Sequence, residues 1–151
     1  MARYVTRART DRPADEVFAY LADLRNFAEW DPGVRRVEQV DGDGAGPDAV
    51  FDVTVAGVGL LPDQTLRYRT VAFDAPREIL VIAESAALTS EDRITVTPED
   101  GGAAVVTYDA DLRLNGPLRL GDPFLRLVFG RIGDRAAAGL RGAIDGTQVP
   151  A

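Results

Sequence analysis

AAVVTYDADLRLNGPLRLGDPFLRLVFGRIGDRAAAGLRGAI, residues 103–144, contains the change of period that decides the fold. Up to Leu114 the apolar residues alternate. Ala104, Val106, Tyr108, Ala110, Leu112 and Leu114 share one face, and Val105, Thr107, Asp109, Asp111 and Arg113 share the other, as in a half-buried strand. After Asn115-Gly116 the spacing lengthens to three or four. Phe124, Leu125, Val128, Ile132, Ala136, Leu140 and Ala143 predict one long amphipathic helix from Pro117 to about Ile144. Gly121, Gly130, Gly133, Gly139 and Gly142 loosen it, each at up to ~1 kcal/mol against Ala.

Upstream, residues 34–114 contain only strand-like runs, near 34–40, 49–56, 64–73, 77–84, 88–98 and 103–114. The links at 41–48 (DGDGAGPD), 57–63 (GVGLLPD), 74–76 (DAP), 85–87 (SAA) and 99–102 (EDGG) are short and turn-forming, which predicts an antiparallel meander. Residues 3–9 alternate as a further strand with Tyr4 or Val5 inward. Arg12-Pro13-Ala14-Asp15-Glu16 then opens a helix whose apolar stripe is Val17, Phe18, Leu21 and Leu24. Asn26–Trp30 adds a short helical turn, stopped by Asp31-Pro32-Gly33. The expected architecture is α+β: a curved seven-stranded antiparallel sheet wrapped around the C-terminal helix, with two short helices after the first strand. With 151 residues and no repeat or linker, residues 1–151 read as one domain.

Composition closes off much chemistry. There is no histidine and no cysteine, and all 17 basic residues are arginine, so lysine is absent too. Ser–His–Asp and Cys–His triads, Lys Schiff bases, His/Cys zinc sites and cysteine-ligated clusters are excluded. No cofactor is expected. A metal site is not expected either: Asp109 and Asp111 read as a solvated outward pair, and Asp41 and Asp43 lack the glutamate that would complete a calcium loop. Gly42-Asp43-Gly44-Ala45-Gly46 precedes no helix and reads as a flexible turn rather than a phosphate loop. A net charge of −7 with scattered arginines argues against nucleic acid and anionic membrane. The N-terminal stretch lacks a signal-peptide core and no run is long enough to span a bilayer, so membrane insertion is not expected and a cytoplasmic location is. Monomer and homodimer remain open.

In a meander the turns alternate between the two ends of the sheet. Links 41–48, 74–76 and 99–102 share one polar end. Links 57–63 and 85–87, with exit loop 115–121, share the other, which carries Val58, Leu60, Leu61, Ala86, Ala87, Leu118 and Leu120, with Leu88 beside them. Clustered apolar loop residues mark either a binding mouth or a plug of ordinary core. The motifs Asn26-Phe-Ala-Glu-Trp-Asp-Pro-Gly-Val34, Val50-Phe51-Asp52-Val53, Phe73-Asp-Ala-Pro-Arg77 and Gly101–Tyr108 follow in an order and spacing that resembles the START-like helix-grip superfamily (SRPBCC). More narrowly, the chain looks like its polyketide cyclase/dehydrase and lipid-transport branch, over essentially its whole length. That resemblance implies the fold above and a hydrophobic ligand cavity, in a family whose bacterial members range from carriers to aromatases.

Period two then nominates site residues. Ile94 and Val96 facing inward turn Ser90 and Asp92 inward as well, and an acid beside apolar surface can serve as general acid or base. The competing fates for Asp92 are an ion pair with Arg67, Arg69 or Arg93, or water. Tyr108 needs a partner for its hydroxyl, from a ligand or from a backbone carbonyl. Asp92 and Tyr108 are the candidate catalytic pair. On the strand at 64–73 the Leu66/Tyr68 face is chosen for the interior, because the alternative buries two arginines. Phe51, Tyr68, Tyr108, Phe124 and Val128 are expected to line one apolar space. Val53, Leu66, Ser90 and Ala110 are further ligand-binding candidates. Trp30 fits the core first and ligand contact second. Three functions are compatible: carriage of a hydrophobic small molecule (lipid, quinone or polyketide-like) between sheet and helix; a polyketide cyclase/dehydratase using Asp92 and Tyr108 for proton transfer; and a ligand-free stress or interaction protein.

Overall fold

A computed structural model describes residues 2–57 and 60–150. The chain runs β1 (Ala2–Thr10), α1 (Ala14–Ala22), a 3-10 turn (Leu24–Asn26), α2 (Phe27–Trp30) and β2 (Val34–Asp41). Then come β3 (Val50–Val55), β4 (Gln64–Asp74), β5 (Glu78–Glu84), β6 (Leu88–Pro98) and β7 (Ala104–Leu114). A 3-10 segment (Gly116–Gly121), α3 (Asp122–Ile144) and β8 (Thr147–Val149) complete it. The sheet order is β2-β3-β4-β5-β6-β7-β1-β8, antiparallel throughout, so the meander is as expected.

Two expectations are corrected. The sheet has eight strands rather than seven, because Thr147–Val149 folds back on Arg7–Arg9 of β1. The return is set by Asp145, whose φ of 52° closes α3 in the left-handed region, and three residues are too few to show a period. The helix also starts at Asp122 instead of Pro117; Gly116–Gly121 forms the tighter 3-10 turn, with Pro123 in the first helical turn.

The concave face follows the alternation. Ala2, Thr6, Ala8 and Thr10 of β1 are buried with Tyr4 half-buried between them, and Leu66, Tyr68 and Thr70 of β4 are buried while Arg67 and Arg69 are exposed. Val17, Phe18, Leu21 and Leu24 all enter the core, where Phe18 packs on Phe73 with ring centroids 5.7 Å apart. α3 lies against β1 and α2. Its two halves differ. Ala136, Ala137, Leu140 and Ile144 are buried, whereas Leu125, Val128, Phe129 and Ile132 are half-buried, and Phe124 and Leu127 stand in solvent at 65% and 64% exposure.

Phe124 therefore does not line the interior. Successive helical residues lie 100° apart, so an inward stripe of half-buried Leu125, Val128 and Ile132 and buried Ala136 leaves Phe124 on its exposed flank. No helix among the described residues is long and apolar enough to cross a membrane.

Candidate functional site

The register of the inner face assembles a polar cluster inside an apolar core. On β6, Ser90, Asp92, Ile94 and Val96 are all buried. Asp92 stands opposite Val81 of β5 and Ala110 of β7. Tyr68 of β4, Ala83 of β5 and Ser90 of β6 form one row across three strands. Because Ala83 is short, Tyr68 lies over it and its hydroxyl donates to Ser90 Oγ at 2.8 Å. Tyr108 of β7 stands opposite Ile94 and reaches diagonally, donating to Asp92 Oδ1 at 3.3 Å. The Tyr68 hydroxyl also acts on the Asp92 carboxyl, favouring its charged form.

Neither alternative fate of Asp92 applies. It is 4% exposed, and the arginines that could have paired with it are on the outer face: Arg67 bonds Asp52, and Arg93 bonds Glu78. Burial without a cation pushes the Asp92 carboxyl up to about 7; the Tyr68 and Tyr108 hydroxyls oppose this, and the charges of Asp31 and Glu91 add to it. Burial and the same carboxylate also raise both tyrosines far above their usual range.

Asp31 is the residue that sequence reasoning missed. Asp31-Pro32-Gly33 reads as a helix stop, and it is one: Asp31 Oδ1 accepts the Gly33 N–H at 2.8 Å. The same residue is 7% exposed, and burial raises its carboxyl above the ordinary range. The available signal was the acid directly after Trp30. That ring packs edge-on to Tyr108 at 5.5 Å and against Phe27 at 4.7 Å, so its neighbour is drawn into the same core.

Of the proposed lining residues, Phe51, Val53, Leu66, Tyr68, Ser90, Tyr108, Ala110 and Trp30 are buried on the concave side, Val128 is half-buried, and Phe124 is exposed. Two hollows lie elsewhere. One, of about 420 Å³, is bounded by Arg12, Glu16, Val17, Tyr20, Glu29, Ala143 and Ile144. The other, of about 270 Å³, lies on the outer sheet face among Arg3, Glu91, Arg93, Asp109 and Asp111. At the end expected to form an apolar mouth, exposure is what the structure gives. Leu60, Leu61, Leu118 and Leu120 are exposed and Leu88 is half-buried, while Val58 lies outside the described residues. Asn115 ties this end together, its N–H donating to Ala87 O and its side-chain amide to Ser85 O. Asp92 lies four residues down β6 from this rim, about 13 Å at strand spacing.

The cluster can accept or donate a proton at Asp92 and hydrogen-bond a polar group through Asp92, Tyr108 and Ser90. Among the described residues no group of acids is placed to hold a metal ion.

Known proteins share this arrangement of chain. A START superfamily protein from Mycobacterium smegmatis superposes with a TM-score of 0.74 at 15% identity, covering 96% of this chain and 98% of its own. The Zhui aromatase/cyclase from Streptomyces sp. R1128 gives 0.75 at 16% identity, covering 95% and 93%. The di-domain ARO/CYC BexL from the BE-7585A biosynthetic pathway gives 0.72 at 18%, covering 96% of this chain and 47% of BexL. At these identities the likeness is one of fold. No curated protein sequence matches the chain. The family profile described as polyketide cyclase / dehydrase and lipid transport matches residues 1–145, and on that match the chain belongs to this family.

Proposed function

We propose that the protein binds a hydrophobic small molecule, lipid, quinone or polyketide-like, with its polar end at Asp92 and Tyr108 and its apolar body toward the Leu60–Leu120 rim. One observation carries this reading. A carboxyl buried to 4% exposure, without a cation and facing only tyrosine hydroxyls, sits below an end of the molecule rich in exposed leucines. Native cores rarely retain such a group for stability alone, since an unpaired buried acid costs several kcal/mol. The first half of α3 is only half-buried over this part of the sheet, so it is the segment that must yield for a ligand to enter.

A second reading has its own support. An acid whose proton leaves near pH 7 is suited to general acid–base work, and the tyrosine beside it can hold a developing oxyanion. Together with the fold likeness to an aromatase/cyclase, this keeps a cyclase or dehydratase reaction on a polyketide-type substrate in view.

Trp30, the chain's single tryptophan, touches Tyr108 and supplies the reporter. Titration with a fatty acid, an isoprenoid quinone and an aromatic polyketide should change its emission saturably for at least one class. Native mass spectrometry of protein from its own host should show a co-purifying molecule. Silence in both overturns the binding reading. Asp92→Asn then separates the two functions: a carrier loses affinity by about tenfold or less, whereas an enzyme loses ~100-fold or more in turnover with binding nearly intact.

A further inference from the structure

We propose that the apolar end of the molecule is a docking surface for an anionic lipid bilayer. Six large apolar side chains are exposed on three segments that the meander brings to one end of the sheet: Leu60 and Leu61 of the β3–β4 loop, Leu118 and Leu120 of the 3-10 segment, and Phe124 and Leu127 of α3. Leu60 and Leu120 are at 106% and 90% exposure, so they project from the surface. A protein partner requires a complementary shape to bury such side chains, whereas a fluid bilayer interface takes them in whatever their contour.

Local charge favours the same occupant. Residues 113–131 carry Arg113, Arg119, Arg126 and Arg131 against Asp122 alone, in a chain whose net charge is −7. The same end adds Asp63 of the β3–β4 loop, paired with Arg35 at 3.8 Å, and Glu84, the last residue of β5. The end is thus positive while the rest of the molecule is strongly negative, which orients this end toward an anionic surface and turns the remainder away. The total charge argued against anionic membrane, but it averages over this asymmetry.

The order along α3 fits a bilayer seated on its first turns. Phe124, Leu127 and Arg131 occupy positions i, i+3 and i+7, one face of the helix, and all three are exposed. Arg131 lies about 6 Å along the axis from Leu127, so a cation follows the apolar pair on the same exposed face. Arg119 sits between Leu118 and Leu120, where its stem can lie with the leucines and its guanidinium reach phosphate.

Flotation with phosphatidylcholine vesicles, with and without phosphatidylglycerol, tests this at low and high salt. The protein should partition about tenfold or more better onto the anionic vesicles, an advantage that high salt removes. Arg119→Gln with Arg131→Gln should cost about fivefold per arginine on anionic vesicles and leave binding to phosphatidylcholine unchanged. Phe124→Ser with Leu127→Ser should weaken binding to both. These side chains are exposed, so each variant should keep the parent thermal midpoint, which confirms folding. Equal partitioning onto the two vesicle types, or undiminished binding by the serine pair, overturns the proposal. So does a dimer in sedimentation that the serine pair dissociates, since the face would then belong to a second copy. Vesicle binding needs no ligand in the interior, so this experiment and the ligand titration fail separately.

Discussion

Asp92 shows how a chain without histidine obtains a group that titrates near neutrality. Its carboxyl is raised to about 7 by burial, held back by two tyrosine hydroxyls and helped by Asp31. Trp30 touches Tyr108, and Tyr108 bonds Asp92, so tryptophan emission should follow pH with a midpoint near 7. In Tyr108→Phe the midpoint should move up, because a hydrogen bond to the charged form is lost; in Asp92→Asn the transition should vanish. A transition that survives Asp92→Asn would assign the titration to another group. The inward direction of Asp92, Ser90, Tyr68 and Tyr108 was legible because β-period fixes every second residue once one is placed. The lack of an arginine partner was not legible, since it depends on Arg67 and Arg93 pairing across strands with Asp52 and Glu78. Asp31 escaped because its turn role fully accounts for the residue until Trp30 is seen to bring it inside.

In α3, four glycines that look alike in the sequence divide by their neighbours. A Cβ on Gly139 would stand 1.6 Å from the backbone oxygen of Trp30, and one on Gly133 would stand 2.3 Å from the Tyr4 ring. Gly139 thus permits backbone contact between α3 and α2, and Gly139→Ala must separate the two elements that hold Trp30 in place. It should destabilise by ~3 kcal/mol or more, read as a fall in the urea midpoint. Gly130 and Gly142 face open space, so alanine at either should stabilise by ~0.5–1 kcal/mol through helix propensity. A stable Gly139→Ala protein would mean that α2 does not press on α3 as described. Helical periodicity revealed that α3 exists and roughly where it ends, but a helix's neighbours cannot be read from its own spacing. The direction of Phe124 was available: the angle between 124 and 125 separates them once the Leu125–Ala136 stripe is chosen. β8 was not, because it is defined by pairing with β1 alone.

For the whole molecule, the meander and the sorting of its turns into a polar and an apolar end were legible, because each needs only strand order and loop composition. What sequence reasoning could not weigh is the electrostatic cost of the interior, and this sets how stability depends on pH. Unfolded, Asp92 releases its proton near the ordinary carboxylate value of about 4; folded, it keeps it to about 7. Between those values the native chain holds the extra proton, so the stability from this site is fully present below the unfolded pKa and is lost as pH rises through the folded one. About three pH units at ~1.4 kcal/mol each set a ceiling of ~4 kcal/mol, and Asp31, also raised by burial, acts with the same sign. Asp23 and Asp52 act oppositely. Hydrogen bonds from Arg25 and Arg67 hold them below the usual carboxylate range, so their contribution is lost as pH falls through those lowered values. Stability should therefore peak at about pH 4–5 and decline toward pH 8, with a thermal midpoint lower by about 5–10 °C at the alkaline end. Asp92→Asn should flatten most of that decline, since an amide in the same place has no proton to lose. A midpoint that is level from pH 5 to 8, or a decline that Asp92→Asn leaves untouched, would show that the cost of burying this acid is met by something other than its proton.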